Sequence, residues 1–301
     1  MGTSSRTPTL GAVAEVSGGQ QAGPAATVPP QLLIVAGAVS LQTGSAVATR
    51  LFDSLGAPGV LALRMGIGAL VLWLGTRAWR QRPGRGAVVP VVVFGLVLGA
   101  MNLLFYLALE RIPLGVTVAL ELVGPLAVAI AGSRRWLDLL WVALAAGGVL
   151  VLTNPATSGL DPVGVALALG AGACWAGYVL AGSRVAHRVP GGSGLAWAMV
   201  LASVWLVPLG VFTAGSELLR PELLLAGAAV ALMSSVLPYS LELVALRRVS
   251  TAAFGIMLSL QPAVATLAGF AVAGQNPTPV TLLGIGLVVA ARLGAVPARR
   301  R

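Results

Sequence analysis

Two charged side chains lie inside long apolar stretches of the sequence. Arg64 lies within the apolar run 58–77, and Glu121 lies in the middle of the run 114–131. An ionised group in hydrocarbon is costly, so such residues mark transport pathways or proton relays when they occur. A carboxylate there needs a counter-ion or water, or it takes up a proton. Three roles therefore fit Glu121: exchange of a proton, binding of a substrate amine, or structural pairing with Arg64.

Two prolines also lie inside long apolar runs, Pro125 in the run 114–131 and Pro262 in the run 251–273. Pro125 and Pro262 each remove an amide hydrogen and clash with the carbonyl four residues earlier, which interrupts a helix. Interrupted helices at corresponding places in two halves of a transporter lie beside the substrate site. We therefore predict helix breaks or gating positions at Gly124, Pro125 and Pro262, with Gln261 beside the second break. A kink that serves packing alone is the alternative.

Several apolar runs also carry polar or aromatic residues three or four positions apart, which places them on one helix face. Such pairs are Gln42 with Ser45, Asn102 with Tyr106, and Trp175 with Tyr178. They predict a polar cavity with aromatic walls, suited to a small zwitterion. The predicted substrate-binding residues are Gln42, Arg64, Asn102, Tyr106, Glu121, Trp175, Tyr178, Tyr239 and Gln261. The alternative for aromatic residues is anchoring at the membrane surface, which we prefer for Trp73, Trp79, Trp136 and Trp141 near the ends of runs.

The composition indicates that these residues lie in membrane-embedded elements. Of 301 residues, 57% are hydrophobic and 9% are charged, whereas a soluble domain has about 45–50% apolar and about 25% charged residues. The net charge of +10 comes from 19 basic residues, all arginine. In a soluble protein that excess would indicate nucleic acid. Here the charges are sparse among apolar residues, so we expect the lipid bilayer, and no nucleic acid, as the partner.

The reactive side chains are few. The chain has one cysteine, Cys174, and one histidine, His187, so it can form no disulfide within itself and no zinc or haem site with the usual ligands. It also lacks a His/Asp/Cys constellation for catalysis. We therefore expect no enzyme activity, no metal and no cofactor.

Apolar runs alternate with short breaks from residue 31 onward. About 20 residues of helix cross the hydrocarbon core, and ten runs have this length: 31–50, 58–77, 87–109, 114–131, 136–153, 162–183, 193–214, 222–244, 251–273 and 278–296. Ala168, Gly172 and Ala176 lie four apart, a spacing that lets helices approach closely. Residues 1–30 are rich in Gly, Pro, Ser, Thr and Ala and predict a disordered tail. They lack the continuous apolar core of a cleaved signal peptide. Residues 297–301 predict a basic C-terminus.

The arginines predict an orientation. With both termini in the cytoplasm, 15 of the 19 arginines fall in cytoplasmic segments, and Arg50, Arg111 and Arg220 fall outside. Such an excess of positive charge is typical of the cytoplasmic side of a membrane protein. The remaining arginine is Arg64, inside its run.

An internal similarity predicts two related halves. With Pro125 placed over Pro262, residues 108–132 align with 245–269 and share Ala, Leu, Arg, Pro and Gly at corresponding positions. Each half, 31–153 and 162–296, holds five runs, so the second half must enter the membrane in the opposite sense. The predicted fold is an all-α polytopic membrane protein of ten transmembrane helices in two inverted repeats, as in secondary transporters. A chance match between two Ala/Leu/Gly-rich helices is the alternative.

Four segments resemble the EamA branch of the drug/metabolite transporter superfamily: GAPGVLALRMGIGALVL (56–72), MNLLFYLALERIPLGVTVALELVGPLAVAIAGSRR (101–135), GVALALGAGACWAGYVLAGSR (164–184) and LPYSLELVALRRVSTAAFGIMLSLQPAVATLAG (237–269). The resemblance covers about residues 30–296. It implies two five-helix EamA repeats in the bacterial inner membrane and export of small amino acids such as threonine or homoserine, with protons as the coupling ion. Before the last run, the family's usual Gly-Glu is Gly274-Gln275 here, so the role of that glutamate cannot be transferred.

The sequence also allows three alternative functions. Efflux of drugs or other metabolites would need a more acidic and more aromatic cavity than a chain with Arg64 and 5% aromatic residues offers. A membrane-embedded enzyme lacks catalytic groups. A channel would conduct without saturating with substrate. The sequence makes no prediction of the oligomeric state.

Overall fold

The computed structural model describes residues 28–131, 138–153, 159–186, 188–189, 193–246 and 257–295, and these ranges contain helices and turns but no strand. The α-helices are α1 (Pro30–Thr49), α2 (Phe52–Thr76), α3 (Arg85–Leu109), α4 (Leu114–Glu121), α5 (Val123–Ala131), α6 (Asp138–Thr153), α7 (Pro162–Ala186), α8 (Ser193–Ala214), α9 (Pro221–Ala231), α10 (Leu237–Leu246), α11 (Gln261–Ala273) and α12 (Pro279–Ala295). Short 3₁₀ turns cover Ala78–Arg80 and Gly215–Leu219. A π-helical turn, Leu232–Val236, joins α9 to α10.

The prediction of an all-helical, multi-pass membrane protein is confirmed. Within the described ranges, six helical stretches are long and apolar enough to cross a bilayer, and four shorter apolar helices accompany them. Large apolar side chains cover the outside of the bundle, among them Phe212, which is 89% exposed, and Leu225, which is 73% exposed. Lipid, and not water, suits such a surface. The count of ten spans and the inverted repeat stay predictions.

Several sequence predictions lie outside the described residues. They are the tail before residue 28, the C-terminal residues 297–301, Trp136, His187, residues 251–256 of the ninth run, and the cytoplasmic arginines Arg134, Arg135, Arg247 and Arg248.

Two helices are interrupted where prolines predict it. The run 114–131 is divided after Glu121 into α4 and α5, and Pro125 lies in the first turn of α5. Met257 and Leu258 are helical, Ser259 and Leu260 form a turn, and α11 then begins with Gln261 and Pro262. In both places the helix resumes around a proline, which is tolerated in a first turn because the amide there needs no intrahelical partner.

A network of hydrogen bonds ties the helix ends at one side of the bundle, which we call the Arg50 end. The Arg50 guanidinium donates to the Val272 carbonyl at the end of α11. Arg111 forms an ion pair with Asp161, at 3.0 Å, before α7. At the opposite end, Arg188 donates to the Gly86 carbonyl at 3.4 Å.

Gln275 extends the network at the Arg50 end to α4. Its side-chain Oε1 accepts a hydrogen bond, at 3.0 Å, from the amide of Leu114, the first residue of α4. A free amide at a helix start needs an acceptor, and here a neutral side chain from a residue 161 positions away supplies it. Gln275, at the position where the resemblance leads us to expect glutamate, therefore caps the helix with an uncharged amide.

The α2 helix contains a sharp break near the same end. Gly56 has φ 65° and ψ 165°, inside the stretch Phe52–Thr76. These angles favour glycine, which has no Cβ to clash. The amide of Ala57, just after the break, donates to a carboxylate oxygen of Glu110 at the end of α3. Pro58 then opens the straight part of α2, which carries Arg64.

The buried core lies where α2 packs on α8 and α3 packs on α7 and α8. Its fully buried side chains include Leu61, Met65, Leu98, Met199 and Leu206. This packing fixes the straight part of α2, and therefore the position of Arg64, against the rest of the bundle.

Candidate functional site

A cavity of about 340 Å³ lies at the centre of the bundle, between the two interrupted helices. Its lining residues are Leu41, Gln42, Ser45, Arg64, Met101, Asn102, Phe105, Val118, Glu121, Trp175, Tyr178, Val179, Tyr239, Leu258 and Gln261. They come from α1, α2, α3, α4, α7, α10, the segment that leads into α11, and the first residue of α11. Eight of the nine predicted substrate-binding residues therefore meet in one cavity, and Tyr106 does not line it.

Tyr106 lies beneath the cavity as a support for Arg64. Its side chain is fully buried, and the guanidinium carbon of Arg64 lies 5.2 Å from the centre of its ring. A guanidinium over an aromatic face is stabilised by the electrostatics of the ring. Tyr106 thus lies outside the cavity lining although it is four residues from Asn102, because i,i+4 spacing fixes a helix face only approximately. Its contact with substrate stays a prediction.

Arg64 is held in place from a second side by the π-helical turn. Its Nε donates to Ser235 Oγ at 3.1 Å, and its Nη2 donates to the Ser234 carbonyl at 3.0 Å. A π-helical turn has i→i+5 hydrogen bonds, so it changes which backbone carbonyls are bonded within the helix. The carbonyl of Ser234 accepts a hydrogen bond from Arg64 instead. Sequence reasoning missed both serines, because nothing in Leu-Met-Ser-Ser-Val marks a π turn.

Glu121 is the acidic group of the cavity. It is the last residue of α4 and is 8% exposed. Among the described residues, ion pairs join Arg111 to Asp161 and Arg220 to Glu217 and Glu222. Glu121 and Arg64 line the same cavity but form no ion pair within 4.0 Å. The cavity therefore holds a carboxyl group and a guanidinium that are not directly bonded to each other, and the role of Glu121 stays a prediction.

The break after Glu121 rests on α7 through two glycines. A Cβ on Gly124 would lie 1.7 Å from the Gly172 carbonyl oxygen, and a Cβ on Gly172 would lie 2.7 Å from the Glu121 carbonyl oxygen. Neither distance leaves room for a side chain, so α4, α5 and α7 approach with backbone against backbone. The predicted close approach at Gly172 is present, and its partner is the predicted break at Gly124. This contact fixes the Glu121 backbone against α7, the helix that also carries the cavity-lining Trp175.

The amides of the cavity differ in how they are bonded. Asn102 Nδ2 donates, at 2.8 Å, to the Leu98 carbonyl of its own helix. Gln42 is 2% exposed, and its Oε1 has no hydrogen-bond partner in the described part of the protein. Gln261 is buried at the first position of α11, beside Pro262.

Aromatic and aliphatic side chains complete the walls. Tyr178 stacks on Phe94, with ring centres 4.7 Å apart and an interplanar angle of 30°. Sequence reasoning did not include the apolar lining residues Met101, Phe105, Val118 and Leu258, because in a chain this rich in apolar residues nothing separates a cavity wall from a lipid-facing side chain.

The rest of the described structure offers no comparable set of polar groups around a cavity. A groove of about 570 Å³ between α2 and α8 is lined by apolar residues and Ser203, and the Ser203 hydroxyl already lies at hydrogen-bond distance from the Met65 and Met199 carbonyls. Within the described ranges, no group of three or more His, Cys, Asp or Glu side chains could hold a metal ion. The central cavity is therefore the candidate site.

Comparison with known proteins gives concordant results. Residues 162–296 match the EamA-like transporter family. The chain is 42% identical to the threonine/homoserine exporter RhtA of Escherichia coli K12 over 88% of this chain and 90% of that protein. It is 42% identical to RhtA of Salmonella typhimurium LT2 over 90% and 92%. It is 26% identical to the uncharacterized transporter YwfM of Bacillus subtilis over 76% and 80%. One protein of known crystal structure shares the fold, with a TM-score of 0.59 and 19% identity over 88% of this chain and 96% of that one.

Proposed function

Because the chain belongs to the EamA-like transporter family, we propose that it exports small amino acids such as threonine or homoserine across the bacterial inner membrane. The observation that carries the proposal is the central cavity, whose described lining residues include the guanidinium of Arg64 and the carboxyl group of Glu121. The relatives that match most of the chain are exporters and not enzymes, which supports transport as the activity. Small ligands suit the cavity because about 340 Å³ is near the lower end of ligand-site volumes.

Arg64 binds the carboxylate of the substrate in this proposal. Two nitrogen atoms of its guanidinium donate hydrogen bonds to Ser234 and Ser235, and the guanidinium lies over the ring of Tyr106. The guanidinium is therefore held before the substrate arrives, which lowers the ordering cost of binding. A guanidinium with remaining N–H groups is a strong partner for a carboxylate.

Glu121 binds the substrate ammonium in the same cavity and exchanges protons between transport steps. A carboxylate without a counter-ion in a buried cavity is stabilised either by a cationic ligand or by a proton. Competition between the two at one carboxylate couples export to proton entry. The remaining lining residues, Asn102, Trp175, Tyr178, Tyr239 and Gln261, shape the cavity around the backbone of the amino acid.

The proposal includes the transport cycle and the topology. Ten spans form two inverted halves, residues 31–153 and 162–296, with both termini in the cytoplasm and Gly124, Pro125 and Pro262 as gating positions. Rocking of one half against the other opens the cavity to each side in turn. The hydrogen bonds at the Arg50 end must then break and re-form in each cycle.

Efflux from cells that overproduce the protein tests the function. Radiolabelled threonine and homoserine are loaded, and their export is followed with and without a proton gradient. Arg64→Gln should lower efflux of both at least about tenfold, since a charge-assisted hydrogen bond is lost. Arg184→Gln is the matched control, because Arg184 is exposed and bonds the Leu180 carbonyl of its own helix.

Each outcome is informative. Normal efflux from Arg64→Gln would refute the role of Arg64. Equal efflux with and without overproduction, for every small amino acid tested, would refute the substrate class. Efflux that ignores the proton gradient would refute proton coupling alone. Export of hydrophobic cations in place of amino acids would favour the multidrug alternative.

A further inference from the structure

Gln42 carries a buried amide oxygen for which the described residues provide no hydrogen-bond partner. Four such unpartnered buried polar atoms occur among the described side chains: Gln42 Oε1, Tyr106 Oη, Trp205 Nε1 and Arg292 Nε. Of these residues, only Gln42 lines the central cavity. A buried acceptor without a partner costs free energy, and native proteins contain few of them. An orphan acceptor on the wall of a ligand cavity therefore indicates that the ligand brings the donor.

The other polar groups of the cavity leave Gln42 available for a side chain of the substrate. In the proposed binding mode, Arg64 bonds the carboxylate and Glu121 bonds the ammonium. Asn102 Nδ2 is already bonded to the Leu98 carbonyl. Gln42 lies on α1, a different helix from those that carry Arg64 and Glu121, with Ser45 one turn further along the same face. It therefore adds a third recognition point to a site that already has two for the amino-acid backbone.

We infer that Gln42 determines specificity by accepting a hydrogen bond from a side-chain hydroxyl of the substrate, so that the transporter selects hydroxyl-bearing amino acids over apolar amino acids of the same shape. This inference rests on the proposed function. Valine has the shape of threonine but carries a methyl group in place of the hydroxyl, and norvaline stands in the same relation to homoserine. Either analogue would leave Gln42 Oε1 buried and unpartnered, and such a mismatch is what gives polar sites their large discrimination.

A competing role for Gln42 is a bond to the substrate ammonium. Threonine and valine carry the same ammonium group, so loss of Gln42 would then weaken both equally. The ratio of threonine to valine transport separates the two roles, whereas the absolute rate does not.

The experiment measures that ratio in everted membrane vesicles with radiolabelled threonine, valine, homoserine and norvaline. The unmodified protein should transport threonine over valine, and homoserine over norvaline, by at least about tenfold. Gln42→Met keeps the length of the side chain without its amide and should bring both ratios to within about twofold of unity, chiefly through slower transport of the hydroxyl substrates. Gln42→Glu keeps an acceptor oxygen and should retain the preference.

Gln275→Met is the matched control. It removes a glutamine amide whose oxygen bonds the Leu114 amide outside the cavity, so it should change rates but not ratios. An equal fall for threonine and valine in Gln42→Met, or an unchanged ratio, would overturn the inference. Should that variant not fold, an unmodified protein that transports threonine and valine equally would overturn it just as well. Failure of the unmodified protein to transport any of the four amino acids would instead refute the proposed function itself.

Discussion

Two helices of the bundle are interrupted at the central cavity, one after Glu121 and the other before Gln261, and each resumes around a proline. When Pro125 is placed over Pro262, Glu121 corresponds to Leu258 and Gly124 to Gln261. Both Glu121 and Leu258 line the cavity. The first break thus brings a charge and a glycine, and the second brings an apolar side chain and an amide.

The comparison of the two breaks distinguishes the interruption of the helix, which both share, from the chemical groups that each adds to the cavity. Both interrupted helices resume with a proline in their first turn, where the missing amide hydrogen removes no intrahelical bond. The charge comes from the first break alone, and so does the glycine that allows the backbone to rest on Gly172. The first break is therefore anchored against α7 and carries the chemistry, whereas the second contributes shape and an uncharged polar group. Three predictions test this division, from the largest expected effect to the smallest.

The largest effect is expected from a methyl group at the anchored break. In Gly124→Ala the new Cβ would lie 1.7 Å from the Gly172 carbonyl oxygen, so the backbones of α5 and α7 must separate. Overpacking of this kind costs about 1–3 kcal/mol, or more where only backbone can yield. We expect a lower unfolding temperature in detergent and loss of efflux. Gly147→Ala in α6 is the control, because no atom lies within 4 Å of its added Cβ; equal unfolding temperatures for the two variants would show that the close contact is absent.

An intermediate effect is expected when glutamine replaces the residue at each break in turn, in two separate variants. Glu121→Gln removes the carboxylate of the cavity and should lower amino-acid efflux about tenfold to a hundredfold. Leu258→Gln puts a glutamine at the corresponding position of the second break and should change efflux by less than about threefold, because no charge is lost there. Initial rates of efflux from overproducing cells, normalised to the amount of protein in the membrane, give the comparison. Similar losses in both variants would mean that the two breaks contribute alike.

The smallest effect is expected at the start of α7, the helix on which the first break rests. Asp161 accepts hydrogen bonds from the Val163 amide at 2.9 Å and from Arg111 at 3.0 Å. These contacts, the Val163 amide first and Arg111 second, lower the pKa of Asp161 below its usual value. A carboxyl whose pKa is lowered in the folded state stabilises the protein above its unfolded pKa, and that stabilisation is lost as the pH falls through the folded value.

Asp161→Asn should therefore unfold at a slightly lower temperature than the unmodified protein at pH 7. The difference should shrink to nothing as the pH is lowered through the acidic range in which Asp161 takes up its proton. Thermal unfolding in detergent over a pH series measures this, and efflux should stay close to normal. A difference that is the same at every pH would show that Asp161 acts through its shape and not through its charge.

The sequence predicts much of the site because charges and amides stand out in an apolar chain. Arg64, Glu121, Gln42 and Gln261 could be found in this way, since a buried polar group in lipid needs a reason. Tyr106 shows the limit of that reasoning, because its position on the same helix as Asn102 did not tell whether it faced the cavity or lay under Arg64. The same limit applies to contacts between distant residues. The sequence marks Gly172 as a site of close approach and Gly124 as part of a helix break, but nothing in it pairs the two glycines.

The largest gap between sequence and structure lies at Ser234 and Ser235. Their contacts with Arg64 depend on an i→i+5 turn, and an apolar run of normal helical composition contains no sign of that turn. The Gln275 bond to the Leu114 amide is similar, because a cap supplied from the other half of the chain leaves no local pattern.

The π-helical turn Leu232–Val236 has a consequence for insertions and deletions. An α-helix advances by about 100° for each residue, so the one extra residue in this turn rotates everything that follows it relative to α9. Tyr239 faces the cavity with that extra residue present. Removing a single residue from this turn, with no change to any residue that touches the cavity, would let α9 and α10 fuse into one regular helix and would swing Tyr239 by about 100° out of the binding site. The length of this stretch is thus as much a part of the site as the residues in it.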